Sequence, residues 1–286
     1  MTVGQALRDA GRRLELAGIQ SASWDAELLL RHVLDWDRAS LITAADQPLT
    51  PEQAARFEAL VALRERRRPL QHLTGTQAFW RHEYLVTRDV LIPRPSTEHL
   101  VEAALELMRP LAMPLVADIG TGSGCIALSL AAERPDARVH AVDISPAALA
   151  VARENARRLG LVERVQFHEG DLLAPLEAWH GQIDLVASNP PYVDPAEAEA
   201  LEPEVVEHEP HAALFACGGQ YGAYQALAPA AAAALRPGGF LLLEVGRGMH
   251  ARVSELCRAS GLVVLEVRPD LMGIARLVLA RRPATR

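Results

Sequence analysis

The sequence predicts an α/β protein in which a doubly wound, Rossmann-like sheet follows a small helical bundle. After Pro114, short apolar runs alternate with helical segments in the order strand, helix, strand, helix. Residues 1 to about 70 contain no run that is typical of a strand. A glycine-rich turn between the first strand of the alternating region and the next helix is typical of sheets that bind nucleosides.

The N-terminal region predicts four or five short helices over residues 1–72, because its leucines recur near helical spacing. Four arginines (64, 66, 67 and 68) are expected to form the solvated end of one helix. The alternating, aromatic-rich run 79–86 predicts a β-hairpin connector within residues 73–95. Ser96 is then expected to cap a helix that runs to about Met108, at the start of a domain spanning 96–286.

Seven strands are expected in that domain, at 115–119, 138–143, 164–168, 183–188, 239–244, about 262–267 and 274–280. Helices are expected between them, including 146–159 and the alanine-rich 222–235. The short link between the last two strands favours an antiparallel hairpin at one edge of the sheet.

Composition excludes several classes of site. All 29 basic residues are arginine, so a Schiff-base lysine and a Walker lysine are absent. The three cysteines (125, 217 and 257) are far apart, which argues against a disulfide framework or a zinc site, and no metal is expected. The net charge of −7 argues against direct nucleic-acid binding. No apolar stretch reaches the length of a membrane span, which favours a cytoplasmic protein.

The glycine-rich turn follows the predicted strand 115–119 and has the spacing G-x-G-x-G, with Asp118 two residues before its first glycine. Alternate glycines let the backbone turn sharply and approach a ligand closely. The third glycine of a dinucleotide fingerprint would fall on Cys125, so a dinucleotide oxidoreductase is disfavoured. The residues of this turn are Gly120, Thr121, Gly122, Ser123 and Gly124.

Acidic residues follow the next two predicted strands. Asp143 is placed to accept both ribose hydroxyls of a nucleoside, although it could instead only cap the helix that begins at Pro146. Asp171 is placed to accept a hydrogen bond from an adenine amino group, and Leu172 to pack on the base.

The fourth strand of the region ends at Asn189, because Pro190 and Pro191 prevent continuation of strand or helix. In an open parallel sheet, ligands bind at this edge. A carboxamide fixed there, next to proline carbonyls and the ring of Tyr192, suits the binding of a flat NH2 group. The alternative is an ordinary Asn-Pro turn.

Asp118-x-Gly-x-Gly-x-Gly, Asp143 and Asn189-Pro-Pro-Tyr together resemble class I S-adenosylmethionine-dependent methyltransferases that act on planar amino nitrogens. Further segments resemble the release factor glutamine methyltransferase family (PrmC, formerly HemK) along the whole chain. These are 91–98, Glu204-Val205, Glu209-Pro210, Ala213-Leu214, Gly218-Gly219 and Asp270-x-x-Gly273-x-x-Arg276. The family usually has an acid where Ser96 stands, which puts any role of a carboxylate at that position in doubt.

This resemblance implies methylation of the side-chain amide nitrogen (N5) of the glutamine in the GGQ motif of class I peptide chain release factors. It implies S-adenosyl-L-methionine as cofactor and a helical recognition domain over 1–72. The implied catalytic residues are Asn189, Pro190 and Tyr192, and Pro191 joins them in binding substrate. The implied cofactor-binding residues are Gly120, Thr121, Gly122, Ser123, Gly124, Asp143, Asp171, Leu172 and Asn189.

Two other functions fit the same motifs. An N6-adenine methyltransferase on DNA or RNA would bind an adenine amino group equally well through the motif at 189–192. A non-catalytic nucleoside-binding module would retain the glycine-rich turn. The acidic charge balance argues against the first, and the complete set of polar residues at the strand ends argues against the second.

Overall fold

The computed structural model describes residues 1–270 and 272–284. The chain forms two compact units. The helical unit contains Met1–Thr76 and, from later in the chain, Glu202–His208. The sheet-containing unit contains Gln77–Leu201 and the chain from Glu209 onward.

The helices are α1 (Val3–Leu16), α2 (Ala22–Leu34), α3 (Arg38–Thr43), α4 (Pro51–Glu65), α5 (Leu70–Thr74), α6 (Glu98–Met108), α7 (Cys125–Glu133), α8 (Pro146–Leu159), α9 (Pro203–His208), α10 (His211–Leu214), α11 (Gly222–Ala234) and α12 (His250–Ala259). The strands are β1 (Thr76–Phe79), β2 (His82–Leu85), β3 (Leu115–Ile119), β4 (Arg138–Asp143), β5 (Val165–Glu169), β6 (Ile183–Ser188), β7 (Leu235–Glu244), β8 (Val263–Pro269) and β9 (Ala275–Arg281).

Helices α1 to α5 of the helical unit pack around a core that includes Leu14, Leu29 and Phe57. Thr2 and Thr50 begin α1 and α4 with capping boxes, in which each threonine and the glutamine three residues later bond each other's backbone N–H. These reciprocal bonds satisfy amides that would otherwise lack partners at the start of each helix.

The arginine cluster at 64–68 is not simply a solvated helix end, and that expectation was wrong for Arg64. Its side chain is buried, with Nε 2.7 Å from Asp25 and NH1 2.8 Å from Glu204. Arg67 lies 2.7 Å from the same Glu204. A buried guanidinium needs paired acceptors, and Asp25 together with α9 supplies them.

The seven-stranded sheet of the second unit has the order β5-β4-β3-β6-β7-β9-β8 across the described residues. The strands from β5 to β7 are parallel, and β9 pairs antiparallel with both β7 and β8. This confirms the predicted fold and the predicted C-terminal hairpin. Strand β7 begins at Leu235 rather than at 239, and its pairing with β6 shifts register between Ile183 and Leu185.

Strands β1 and β2 form a two-stranded hairpin. The chain then passes through a short 3-10 turn, Pro95–Thr97, into α6. The prediction that Ser96 caps this helix was wrong, because α6 has no side-chain cap and the Ser96 hydroxyl donates to Glu244 at 3.1 Å instead of accepting from a backbone amide of the helix.

Parallel strands place their carboxyl ends at one edge of a sheet. The residues that end or directly follow β3, β4, β5, β6 and β7 therefore lie along the same edge. Helices cover both faces, since buried apolar residues form one cluster on each side. Within 1–270 and 272–284, no helix has both the length and the apolar character needed to cross a bilayer.

Candidate active site

The glycine-rich turn after β3 leaves open space at its first two glycines. Gly120 and Gly122 have φ angles of 72° and 55°, which favour glycine, and a Cβ atom on either would meet nothing within 4 Å. Gly124 differs, because a Cβ there would lie 3.0 Å from Leu128 and 3.2 Å from Ala152. The first two glycines thus border a cradle, and the third allows α7 and α8 to pack closely.

Backbone hydrogen bonds to β4 hold this turn. The amides of Gly120 and Thr121 donate to the Val142 carbonyl at 2.9 and 3.0 Å. The Gly122 amide donates to Asp143 Oδ2 at 2.8 Å, and the Ser145 amide donates to Asp143 Oδ1 at 2.9 Å. Asp143 therefore joins the glycine-rich turn to the start of α8, and each of its oxygens keeps a further lone pair for a ligand.

Asp118 lies under the turn and is completely buried. Its Oδ2 accepts from the Thr121 hydroxyl at 2.6 Å and from the Ala127 amide at 3.1 Å. Among the described residues, Oδ1 has no hydrogen-bond partner. Burial, aided by the charge of Asp143, raises the pKa of the Asp118 carboxyl to about 7. A buried, unpaired carboxylate oxygen next to an open cradle favours a ligand that carries positive charge.

The predicted adenine-binding residues follow β5. Asp171 is exposed, whereas Leu172 is half-buried against the core and has a positive φ of 49°. Ile144, directly after Asp143, is apolar and 65% exposed at the same edge. The sequence reasoning missed Ile144, although an apolar residue directly after a strand-end acid was visible there.

Asn189 follows β6 at the centre of the edge. The preceding Ser188 is fixed because its hydroxyl donates to the Ile119 carbonyl at 2.7 Å. Asn189 Nδ2 donates to the Thr97 hydroxyl at 3.2 Å, and none of the described groups bonds to its Oδ1. Pro190, directly after it, is buried. The carboxamide is thus held by its nitrogen, which leaves its oxygen as the free acceptor.

Tyr192 is half-buried, and burial raises the pKa of its hydroxyl. Its ring lies against the backbone of Gly246, where an added Cβ would be 3.0 Å from the ring and 2.6 Å from the Met249 sulfur. Only glycine leaves room for the ring at this point. The sequence reasoning missed this requirement, since the two residues lie in separate segments.

Glu244 is the last residue of β7 and is 2% exposed. Its Oε1 accepts from the Ser96 hydroxyl, and its backbone carbonyl accepts from the Tyr224 hydroxyl at 2.9 Å. Burial raises the pKa of the carboxyl, and the Thr97 and Ser96 hydroxyls lower it in part. The sequence reasoning missed Glu244, although it is a carboxylate at the end of the fifth parallel strand.

Comparison with known proteins identifies the family to which this chain belongs. Residues 5–75 match the PrmC N-terminal domain, and residues 96–212 match the methyltransferase small domain. The release factor glutamine methyltransferase of Cereibacter sphaeroides is 49% identical over 99% of this chain and 100% of that protein. The release factor glutamine methyltransferase of Koribacter versatilis is 44% identical over the full length of both.

The chain belongs to the release factor glutamine methyltransferase family. Among solved structures, the hMettl16 catalytic domain in complex with the MAT2A 3'UTR hairpin 6 covers 81% of this chain and 82% of its own, with a TM-score of 0.54 and 18% identity. This likeness shows the shared fold alone.

Membership in this methyltransferase family implies S-adenosylmethionine as the methyl donor. The residues present fit that molecule. The open cradle at Gly120 and Gly122 admits a ligand against the backbone. The unpaired Oδ1 of Asp118 suits a cation, and Asp143 offers acceptors for hydroxyl groups. Among the described residues, no group of three or more metal-ligating side chains occurs.

The structure brings the sequence-predicted residues to one edge of the sheet. The glycine-rich turn and Asp143 are joined directly by a hydrogen bond. Asp171 and Leu172 follow β5, and Asn189 follows β6, on the two sides of that pair. Thr97, which accepts from Asn189, lies in the segment 91–98 without having been given a role there, whereas Glu244, which accepts from the neighbouring Ser96, comes from outside all the predicted motifs.

Proposed function

We propose that this protein transfers a methyl group from S-adenosyl-L-methionine to the side-chain amide nitrogen (N5) of the GGQ glutamine in class I peptide chain release factors. The full-length similarity to release factor glutamine methyltransferases supports the substrate. The observation that carries the chemistry is the carboxamide of Asn189, held by its nitrogen with Oδ1 left free beside Pro190.

An amide nitrogen is a poor nucleophile because its lone pair is delocalised into the carbonyl group. In the proposed complex, Asn189 Oδ1 and the Pro190 carbonyl accept the two N–H groups of the substrate glutamine. This grip orients the nitrogen toward the methyl group and stabilises the positive charge that develops on it. The bound donor would supply an electrophilic sulfonium methyl and be left as the neutral thioether. The methylated amide nitrogen is positively charged and therefore strongly acidic, so it loses its proton to solvent and no strong base is required.

Tyr192 and Pro191 complete the proposed substrate pocket. The Tyr192 ring, fixed against Gly246, supplies a flat apolar wall for the planar amide. Pro191 keeps the segment after Asn189 in an extended path. These residues exclude water and limit the orientations available to the glutamine side chain.

We assign the donor to Gly120, Thr121, Gly122, Ser123 and Gly124, with Asp143, Asp171, Leu172 and Asn189. Asp143 accepts from the ribose hydroxyls, and Asp171 accepts from the adenine amino group. Ile144 is a further apolar surface for the base, because it is exposed directly after Asp143.

We propose that residues 1–72 recognise the release factor and that residues 96–286 form the catalytic domain. Residues 73–95 connect these two domains. A cytoplasmic location follows from the substrate, since release factors act on ribosomes. The acidic net charge of −7 supports a protein partner rather than direct contact with nucleic acid.

Radiolabelled S-adenosylmethionine tests the proposed reaction with a purified release factor and with a variant in which the GGQ glutamine is replaced. We expect labelling of the first and none of the second. Equal labelling of both would refute the proposal. Labelling of DNA or RNA under the same conditions would instead indicate an N6-adenine methyltransferase.

The substitution Asn189→Ala tests the residue that carries the proposal. We expect methyl transfer to fall by at least about 100-fold, because removing an oriented acceptor costs this much in comparable sites. The dissociation constant for S-adenosylmethionine, measured by calorimetry, should change little. Tyr192→Phe is the matched control, since it keeps the ring and should retain most activity. Loss of both transfer and cofactor binding in Asn189→Ala would contradict the assignment.

A further inference from the structure

Glu209 is a buried carboxylate with no place in the cofactor or substrate assignments above. Its side chain is 1% exposed, and both of its oxygens accept hydrogen bonds. Oε2 accepts from the Ile92 amide at 3.1 Å, and Oε1 accepts from the Arg94 guanidinium at 2.5 Å. A buried carboxylate is costly unless such partners are present. Glu209 and the segment 92–94 therefore hold each other in place.

The segment 92–94 has no helical or strand structure of its own. The prolines at 93 and 95 have no amide hydrogen to donate. The Ile92 side chain is buried, but that of Arg94 is 36% exposed, so packing fixes only part of the segment. The bonds to Glu209 supply the polar contacts that a helix or a sheet supplies elsewhere in the chain.

Two hydrogen bonds connect this segment with the Asn189 carboxamide. The Thr97 amide donates to the Arg94 carbonyl at 3.0 Å across the 3-10 turn. The Thr97 hydroxyl accepts from Asn189 Nδ2 at 3.2 Å. The position of the segment 92–94 therefore sets where the Thr97 oxygen lies, and that oxygen holds the carboxamide by its nitrogen.

The chain after Glu209 reaches the far end of the same motif. Glu209 is followed by the short helix α10, and the carbonyl of its last residue, Leu214, accepts from the Val193 amide at 3.0 Å. Val193 directly follows Tyr192. Residues 209–215 thus contact the motif at 189–192 from both ends, through the 3-10 turn at one end and through Val193 at the other.

We propose that Glu209 is a positioning residue for methyl transfer, because it fixes the turn that places Thr97 against Asn189. This inference rests on the proposed role of Asn189 as an acceptor for the substrate amide. Glu209 acts through Arg94 and Thr97, and it keeps the Asn189 oxygen where the substrate nitrogen needs it. A displacement of about 1 Å in such a site can lower the rate about 100-fold.

The first test compares Glu209→Gln with the wild-type protein. Glutamine has nearly the same shape, but its NH2 group would face either the Ile92 amide or the Arg94 guanidinium, donor against donor. We expect kcat for release factor methylation to fall about 10- to 100-fold, the range for a misplaced catalytic group. The KM for the release factor and the dissociation constant for S-adenosylmethionine should change little. An unchanged kcat in a folded variant would overturn the inference.

Asp184 provides a matched control at the opposite edge of the same sheet. It is the second residue of β6, and its carboxylate also accepts from a backbone amide and an arginine, those of Leu115 at 2.8 Å and Arg236 at 2.5 Å. Asp184→Asn should lower the free energy of unfolding, as Glu209→Gln does, but keep kcat close to wild type. An equal loss of kcat in both variants would mean that destabilisation alone lowers activity, and the inference would be wrong.

Arg94 supplies a second pair of variants, which also serves if Glu209→Gln does not fold. Arg94→Lys keeps a cation that can donate to Glu209 and should retain most of kcat, whereas Arg94→Met keeps only the apolar stem and should lower it. The double variant of Glu209→Gln and Arg94→Met should be no worse than the more affected single variant, because both changes break one chain of contacts. A raised KM for the release factor with unchanged kcat in Arg94→Met would show that Arg94 binds substrate, and would contradict positioning.

Hydrogen exchange tests the structural step itself. The Thr97 amide, bonded to the Arg94 carbonyl, should exchange faster in Glu209→Gln than in the wild-type protein. Asp184→Asn should leave the exchange of this amide unchanged. Unchanged exchange at Thr97 together with a lowered kcat in Glu209→Gln would overturn the proposed route through this turn.

The outcomes distinguish this inference from the proposed function. An inactive Asn189→Ala together with a fully active Glu209→Gln would overturn the role of Glu209 and leave the proposed function standing. A fully active Asn189→Ala would overturn the proposed grip itself, and the role of Glu209 with it.

Discussion

The two halves of the proposed site, one assigned to the cofactor and one to the substrate, are built in different ways. The cofactor half, around the turn at 120–124, is held by neighbours in one strand–turn–helix sequence and by the next strand, β4. The substrate half, around Asn189, depends on Thr97 and on Glu244 and Gly246, which lie in two other parts of the chain. Local sequence determines the first half, and tertiary packing determines the second.

This difference indicates how each half should respond to mutation. Changes in the cofactor half should alter S-adenosylmethionine affinity or folding and leave transfer at saturating cofactor largely intact. Changes in the substrate half, such as the one proposed at Asn189, should alter kcat and leave cofactor affinity intact. A variant in one half that changed the quantity assigned to the other half would contradict this separation.

Asp143→Asn is expected to give the largest effect in the cofactor half. The carboxylate accepts from two backbone amides, and an amide group can satisfy only one of them without a clash. Hydrogen bonds to charged groups contribute about 1.5–3 kcal/mol. The dissociation constant for S-adenosylmethionine should therefore rise about 10- to 150-fold in calorimetry.

Transfer at saturating cofactor is the control for Asp143→Asn, and it should remain within a few-fold of wild type. If kcat falls as strongly as affinity, the two halves of the site are coupled and the comparison fails.

Gly124→Ala and Gly120→Ala form a matched pair within one turn. At Gly124 a Cβ would press on Leu128 and Ala152 at a φ of 82°, so the free energy of unfolding should fall by about 1–3 kcal/mol. At Gly120 a Cβ meets only open space, so only the strain of its φ of 72° should cost stability, and the destabilisation should be smaller than at Gly124 and accompanied by a loss of cofactor affinity.

Denaturant unfolding and calorimetric titration of both glycine variants separate these effects. Equal destabilisation with unchanged cofactor affinity would mean that Gly120 does not border the cofactor.

The same contrast explains what the sequence could predict. The strands, the C-terminal hairpin and the open turn follow from apolar runs and glycine spacing, which are local signals. The Ser96 expectation was wrong because its partner, Glu244, lies 148 residues away. The arginine cluster was misjudged for the same reason, since Arg64 and Glu204 are 140 residues apart. Such pairs become visible only once the chain is folded.

The smallest expected effect is at Asp118, and it is also the one most specific to the cofactor half. Its carboxyl is buried under the turn with a pKa of about 7 and an unpaired Oδ1. A cationic ligand next to it favours the ionised form, so binding below pH 7 must release a proton. Wild-type affinity for S-adenosylmethionine should therefore rise about tenfold from pH 6 to pH 8, with less than one proton released per complex.

Asp118→Asn removes this proton and keeps the shape of the side chain. Its cofactor affinity should be weaker and independent of pH over the same range, measured by calorimetry in two buffers of different ionisation enthalpy. In the protein without ligand, the wild-type carboxyl binds its proton more tightly folded than unfolded. The stability that this provides is full below about pH 4 and is lost as the pH rises through about 7. A pH-independent wild type would show that Asp118 only supports Thr121 and the start of α7, and that the charge of the cofactor lies elsewhere on this edge.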